Sequence, residues 1–317
     1  MSPLQPGLHY GIDAETYHAD PAPEPSLSSS VAAVLLNRSP RHAWTAHPRL
    51  NADHEAEERA LLDFGSAAHA LLLGRGKGIE VIDHADWRTK AAKEARDEAY
   101  AAGKTPILAK DAIRAEVMVT AARAQIAAIP EAVEAFGPDG ASEVVMIWRD
   151  GDVWCRGMVD RLLIKGTTAI ICDFKTTTAS AHPAAVSRRL YDMGYDLQAG
   201  FYRRGLLALR PDVTRVLSLL LTQETEPPFA LSAVTLDPAT FALAEKRIAA
   251  ALGMWRHGLR SGQWPGYPPA VATAELPGWI ESAWLEREMA DEALARGRDF
   301  HRAQPDRAAA PITWGAG

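Results

Sequence analysis

Cysteine is scarce in this 317-residue sequence: Cys155 and Cys172 are the only two, and they form no CxxC pair. Two thiols cannot build a four-cysteine zinc or iron-sulfur site, and their strand-like surroundings mark them as reduced core residues. No apolar run approaches the roughly 18 residues a membrane span needs, and the N-terminus lacks a charged-then-apolar leader pattern. The expected location is therefore the cytoplasm. Also absent is G-x-x-x-x-G-K-[ST]. Gly74-Arg75-Gly76-Lys77-Gly78 has neither that spacing nor a strand before it and a helix after it, so no nucleotide-driven motor is expected. Nor is positive charge in excess. A formal net charge of -6 argues against a polybasic coat that would replace counterions along a nucleic acid, so any such contact has to be local.

What is present is the composition of an ordinary folded protein, 47% hydrophobic and 23% charged, in a chain long enough to bury a substantial core. Pro25-Ser26-Leu27-Ser28-Ser29-Ser30 before Val31-Ala32-Ala33-Val34-Leu35-Leu36 predicts a serine-capped helix. Helical spacing follows from about Glu57 to Leu73, stopped by the glycine-rich turn, then from Asp86 to Ala102 and from Lys110 to Ala128. The first half is thus expected to be mainly helical. After Gly137-Pro138-Asp139-Gly140 the pattern becomes β-branched and alternating. Strands are predicted at Glu143 to Trp148, Val153 to Ile164 and Thr167 to Phe174, with hairpin turns at Asp150-Gly151 and Lys165-Gly166. Helices are predicted at Pro183 to Met193 and Leu197 to Leu209, strands at Val213 to Thr222 and Phe229 to Leu236, and a helix from Pro238 to about Leu259. Beyond Pro265 come Pro and Trp punctuation, one charged helix near Ile280 to Arg298, and a frayed Pro/Ala-rich end.

The most informative stretch is Gly157-Met158-Val159-Asp160-Arg161, followed one hairpin later by Cys172-Asp173-Phe174-Lys175-Thr176. Alternation puts Asp173 and Lys175 on one strand face, and the neighbouring antiparallel strand can bring Asp160 beside them. Two adjacent carboxylates repel and are costly to desolvate, which makes a divalent cation a natural partner. Magnesium prefers such hard oxygen ligands. A lysine beside them can contact a phosphate oxygen or the attacking water, which is the chemistry of phosphodiester hydrolysis. Taken alone, D-x-K is commonly an exposed strand pair.

Here it has company. Gly65-Ser66-Ala67-Ala68-His69, Gly157-Met158-Val159-Asp160, Asp173-Phe174-Lys175 and Gln198-Ala199-Gly200-Phe201-Tyr202 occur in that order. Together they resemble the G-x-x-x-H, G-x-x-D, D-x-K and Q-x-x-x-Y motifs of the RecB-type branch of the PD-(D/E)XK nucleases, over roughly Ser26 to Leu236. The nearest likeness is to the exonuclease VIII (RecE-like) group. The resemblance implies an α/β (α+β) fold with a restriction-endonuclease-like core: a central mixed sheet flanked by helices, with a helical N-terminal region. It implies a nuclease domain over 1–265, with 26–136 supplying His69 and 141–236 forming the catalytic core. A C-terminal helix and flexible tail would occupy 266–317.

By the same resemblance His69, Asp160, Asp173 and the backbone carbonyl of Phe174 hold Mg2+, for which Mn2+ can substitute, and Lys175 assists the nucleophile. Glu143 matches an auxiliary acid near the metal, the alternative being a solvated strand-end acid. Gln198 and Tyr202, one helical turn apart, would position DNA or brace the site, and Arg161 is a further candidate for either task. Arg149, Arg156, Arg188, Arg189, Arg203 and Arg204 also lie near the site in sequence, where they could track phosphates or form a solvated face. Some relatives carry four cysteines that hold an iron-sulfur cluster, and with only two here a cluster is excluded; Asn37 to Arg41, with Ser39 where those relatives often have a cysteine before Pro, suggests kinship without the cluster. The implied activity is double-stranded DNA exonuclease in phage or prophage recombination, with a homo-oligomeric ring and a single-strand annealing protein as possible partners. A single-strand or structure-specific nuclease, or a catalytically silent DNA-binding subunit, are the other readings.

Overall fold

Strand and helix segments follow one another in the first of two units, Met1–Tyr267. Its N-terminal half contains β1 (Gly7–His9), α1 (Ala14–His18), α2 (Ser29–Asn37), α3 (Pro40–Thr45), α4 (Asp63–Leu73), β2 (Ile79–Ile82), α5 (Lys90–Ala101), β3 (Thr105–Leu108), α6 (Ala109–Ile126) and α7 (Pro130–Phe136). Then come β4 (Ala141–Asp150), β5 (Val153–Lys165), β6 (Thr168–Thr177), α8 (Pro183–Leu190), α9 (Tyr195–Leu209), β7 (Arg215–Glu224), β8 (Leu231–Val234) and α10 (Pro238–Ser261). The second unit, from Pro268, carries α11 (Gly278–Ala290). This computed structural model describes residues 2–54 and 63–290. The predicted helix before residue 63 and the predicted tail from residue 291 lie outside the described residues.

Turn chemistry builds the middle of the sheet. Gly151 and Gly166 adopt φ 62° and 57°, which favours glycine and lets β4, β5 and β6 fold back as an antiparallel meander. The predicted α8 and α9 carry the chain across to β7, which therefore pairs parallel to β6. The result is a mixed six-stranded sheet in the order β1-β4-β5-β6-β7-β8. Its period-2 side chains feed two cores. On one face α2, α9 and α10 pack over Trp148, Cys155 and Ile171. On the other, α4, α6 and α7 cover Leu163, Cys172 and Leu221. Trp148 and Phe201, both fully buried with ring centroids 4.9 Å apart, anchor the first core. Each large apolar side chain so buried contributes about 1.5–3 kcal/mol.

The caps follow the sequence. Ser28 accepts from the Val31 N–H at the start of α2, and Ser39 accepts from His42 at the start of α3, so the serine before Pro40 serves as a helix cap. The first half is mainly helical, as expected, with three short strands added to it: β1 pairs antiparallel with β4, and β2 pairs parallel with β3. The N-terminal segment is also pinned by a buried polar knot. Asp20 accepts from the Ser26 N–H at 2.9 Å, and His47 and Arg156 lie 3.3 Å from its carboxylate. Among the described residues no helix is long and apolar enough to cross a membrane.

Candidate active site

In-and-out alternation slips by one residue at the same level of two neighbouring strands. On β4 Ala141 packs toward the α9 core and so does Val144. On β5 Val159 does, and then Leu162. Glu143 and Asp160 sit in the two slips, between the register pairs Ser142↔Arg161 and Val144↔Val159. Glu143 has φ 50°, a left-handed backbone uncommon for a non-glycine residue and a cost that accumulates at functional sites. The β5–β6 ladder runs up to Arg161↔Cys172. Just beyond it the Asp160 carboxylate takes the place of a strand carbonyl and accepts the Phe174 N–H at 2.7 Å.

His69 reaches these acids from α4. Its Nε2 lies 3.0 Å from Asp160 Oδ1 and its Nδ1 4.0 Å from Glu143 Oε1. The glycine four residues earlier has a local reason: a Cβ on Gly65 would stand 2.9 Å from Thr176 Oγ1 on β6, so its absence lets α4 lie close to that strand. Lys175 Nζ pairs with Asp173 Oδ2 at 2.8 Å and sits 5.6 Å from the centre of the Tyr195 ring at the start of α9. Phe174 turns its ring into the opposite core, leaving its backbone to the site.

Gln198 donates to the Tyr202 hydroxyl at 3.0 Å. The Tyr202 ring covers Gly157, where a Cβ would meet two ring carbons at 3.0 Å. The first glycine of G-x-x-D and the tyrosine of Q-x-x-x-Y are thus two halves of one contact. Asp173, Tyr195, Gln198 and Tyr202 line a small pocket shared with Ser218. Gly157→Ala is expected to cost about 1–3 kcal/mol by overpacking. The urea midpoint measures this, and an unchanged midpoint would mean that the ring moves aside freely.

Electrostatics in the cluster are tightly linked. Burial pushes the Asp173 carboxyl up to about 6, with the Asp160 charge adding to the rise and Lys175 opposing it. Burial acts the same way on Asp160, but the hydrogen bond and charge of His69, the Lys175 charge and the Phe174 N–H outweigh it and hold that acid low. His69 is desolvated too, yet Asp160 and Glu143 raise it above the usual imidazole range. Desolvation works against the Lys175 ammonium, whereas Asp173 and Asp160 carry it up to about 12. Glu143 is raised by burial, against the pull of His69.

Among the described residues no three His, Cys, Asp or Glu side chains stand ready to close a metal site, and His69 lies against Asp160 and Lys175 against Asp173. The donor set still suits a hard divalent ion: three carboxylates and an imidazole share one buried cluster, and compensating their charge presently takes both His69 and Lys175.

The predicted arginines are mostly engaged elsewhere. Arg161 donates to the carbonyls of Ala135 and Gly137 and to Ser142 Oγ at 2.7–2.9 Å, closing the end of α7, so its guanidinium is directed there and not toward the acids. Arg156 serves Asp20 and Ser26, and Arg204 bridges Asp150 and Glu245. Arg149 lies over Trp154 and Arg203 over Phe241, while Arg189 donates to the Ser180 carbonyl. Sequence proximity failed here because neighbours on one strand or one helix point to different layers. Tyr195 was missed because nothing local ties it to Lys175.

A mixed sheet that presents acids and a lysine at one end, between two helical layers, defines an α/β protein of the restriction-endonuclease-like kind. The family model of the PD-(D/E)XK nuclease superfamily matches residues 26–273. The chain belongs to that superfamily, whose members work with divalent metal ions, and it is a nuclease. In fold it is similar to a provisionally named exonuclease from Eubacterium rectale, with a TM-score of 0.55 at 11% identity, covering 87% of this chain and 99% of that one. The structure of SSO0001 aligns with a TM-score of 0.24 at 15% identity over 61% of this chain and 87% of that chain. Among curated proteins none matches this chain.

Proposed function

We propose that the chain is a magnesium-dependent deoxyribonuclease, and within that class a RecE-like exonuclease that degrades double-stranded DNA from an end in phage or prophage recombination. The observation that carries the reading is the convergence of His69 from α4, Glu143 from β4, Asp160 from β5, and Asp173 and Lys175 from β6. The exonuclease name of the Eubacterium rectale protein, matched over 99% of its length, supports the finer part. A ring of identical subunits and a single-strand annealing partner belong to the same reading and rest on the RecE-like resemblance.

His69, Asp160, Asp173 and the Phe174 carbonyl would hold the metal, with Glu143 beside them. A bound divalent ion supplies Lewis acidity toward phosphate and makes water a stronger nucleophile near neutral pH. Asp160 is held in place by the Phe174 N–H, so its carboxylate is oriented before any ligand arrives. The Lys175 ammonium, carried on the same strand face as Asp173, would stabilise the charge that builds on the phosphate or orient the attacking water. To ligate, His69 needs a neutral imidazole, and the acids that raise its affinity for a proton are the groups a metal would neutralise.

End-labelled linear duplex and covalently closed circular DNA, each with Mg2+, separate the readings. Degradation of the linear form alone is expected. Equal cutting of both favours the structure-specific nuclease, and cutting of neither leaves a silent DNA-binding subunit. His69→Ala should raise the metal concentration needed for half-maximal cleavage by about 10- to 100-fold and slow turnover. An unchanged metal titration with a lowered melting temperature would make His69 purely structural.

A further inference from the structure

The glycine-rich run that fits no nucleotide motif sits beside the acid cluster. α4 ends at Leu73, and Gly74 and Gly76 turn the chain with φ 67° and 121°. A Cβ on Gly76 would stand 3.1 Å from the Ala70 Cβ and 3.8 Å from Glu143 Oε1, so the loop backbone lies against an acid of the site. Its root is fixed on two sides. Ser142 donates to the Leu73 carbonyl at 3.0 Å, with Arg161 donating in turn to Ser142 at 2.8 Å, and Arg123 donates to the Leu71 carbonyl at 2.7 Å. From this anchored base Arg75 and Lys77 project into solvent. Neither has a hydrogen bond or ion pair among the described residues, whereas the arginines expected to meet phosphate are mostly engaged in holding the fold.

An acidic protein with an acidic site repels a polyanion at the point where the polyanion must enter. Fixed cations at the rim are the economical remedy, because each phosphate they neutralise releases counterions. We propose that the Gly74–Gly78 loop is a phosphate clamp, in which Arg75 and Lys77 grip the backbone of the DNA strand on the α4 side of the cleavage site. The glycines keep the loop low enough for a strand to cross it. Contacts of this kind set position and affinity and carry no sequence information. The inference rests on the nuclease reading and adds to it where the substrate is held.

The test uses the full chain and fluorescence anisotropy of a labelled linear duplex in Ca2+ over a series of salt concentrations. Arg75→Gln with Lys77→Gln should weaken binding by at least about tenfold and reduce the slope of log affinity against log salt by about 1.8, the contribution of two phosphate contacts. Arg215→Gln, which removes an exposed charge at the far end of β7, should leave affinity and slope as in the parent. Equal melting temperatures would exclude misfolding. A parental slope in the double variant overturns the clamp, as does an equal loss in Arg215→Gln or a parent whose binding does not depend on salt. The parent's cleavage of the same duplex in Mg2+ is read separately. Salt-dependent binding lost in the double variant, with no cleavage by the parent, would remove the nuclease reading and keep the clamp.

Discussion

Asp173→Asn should abolish magnesium-dependent cleavage, by at least about 10³-fold, equivalent to roughly 4 kcal/mol of transition-state stabilisation. The change removes one charge and almost no volume. Two effects on the unliganded fold oppose each other: a buried carboxyl already pushed up to about 6 is replaced by a neutral amide, while Lys175 loses its partner 2.8 Å away. The folded state should therefore persist. A second readout separates metal loss from damage, since an ion that binds the native state raises its stability by mass action. Added Mg2+ should raise the melting temperature of the parent and leave that of Asp173→Asn nearly unmoved. Parental cleavage by the variant would take Asp173 out of the site.

Much of the fold is legible in the sequence, for reasons that differ from element to element. The meander β4-β5-β6 could be read because glycine at Gly151 and Gly166 and strict alternation are local signals. β1, β2 and β3 could not. Each is three or four residues long and exists through its pairing partner. At the site the motifs placed Asp173 and Lys175 on one face, yet the reasons for their glycines emerge only in three dimensions, Gly65 against Thr176 and Gly157 under Tyr202. The left-handed backbone at Glu143 has no sequence signature at all, because Glu is not a residue that favours it. Arginines misled for a related reason. A guanidinium finds the best acceptors in reach, and for Arg161 those are carbonyls at the end of α7, remote in sequence.

Calcium should support duplex binding without cleavage, and Lys175→Ala should take up Mg2+ yet cut about 10²–10³-fold more slowly, the usual cost of removing one donor that stabilises transition-state charge. Calcium would suit the same carboxylates but takes more ligands at longer distances, so Asp160 and Asp173 would hold it while phosphate and water would be placed less favourably. Lys175 is a different kind of participant. The acids beside it carry its ammonium up to about 12, so at neutral pH it acts as a fixed cation and hydrogen-bond donor and not as a base. A divalent ion that neutralises Asp173 would release the ammonium from its ion pair and leave it free to face a phosphate. Truncation to alanine then removes nothing the ion needs, and relieves its competition for Asp173 Oδ2. Calorimetry should accordingly find metal affinity equal to or above the parent's in Lys175→Ala, alongside slow turnover of end-labelled linear duplex. Calcium-driven cleavage as fast as with magnesium, or parental turnover by Lys175→Ala, would overturn this division of labour between metal and lysine.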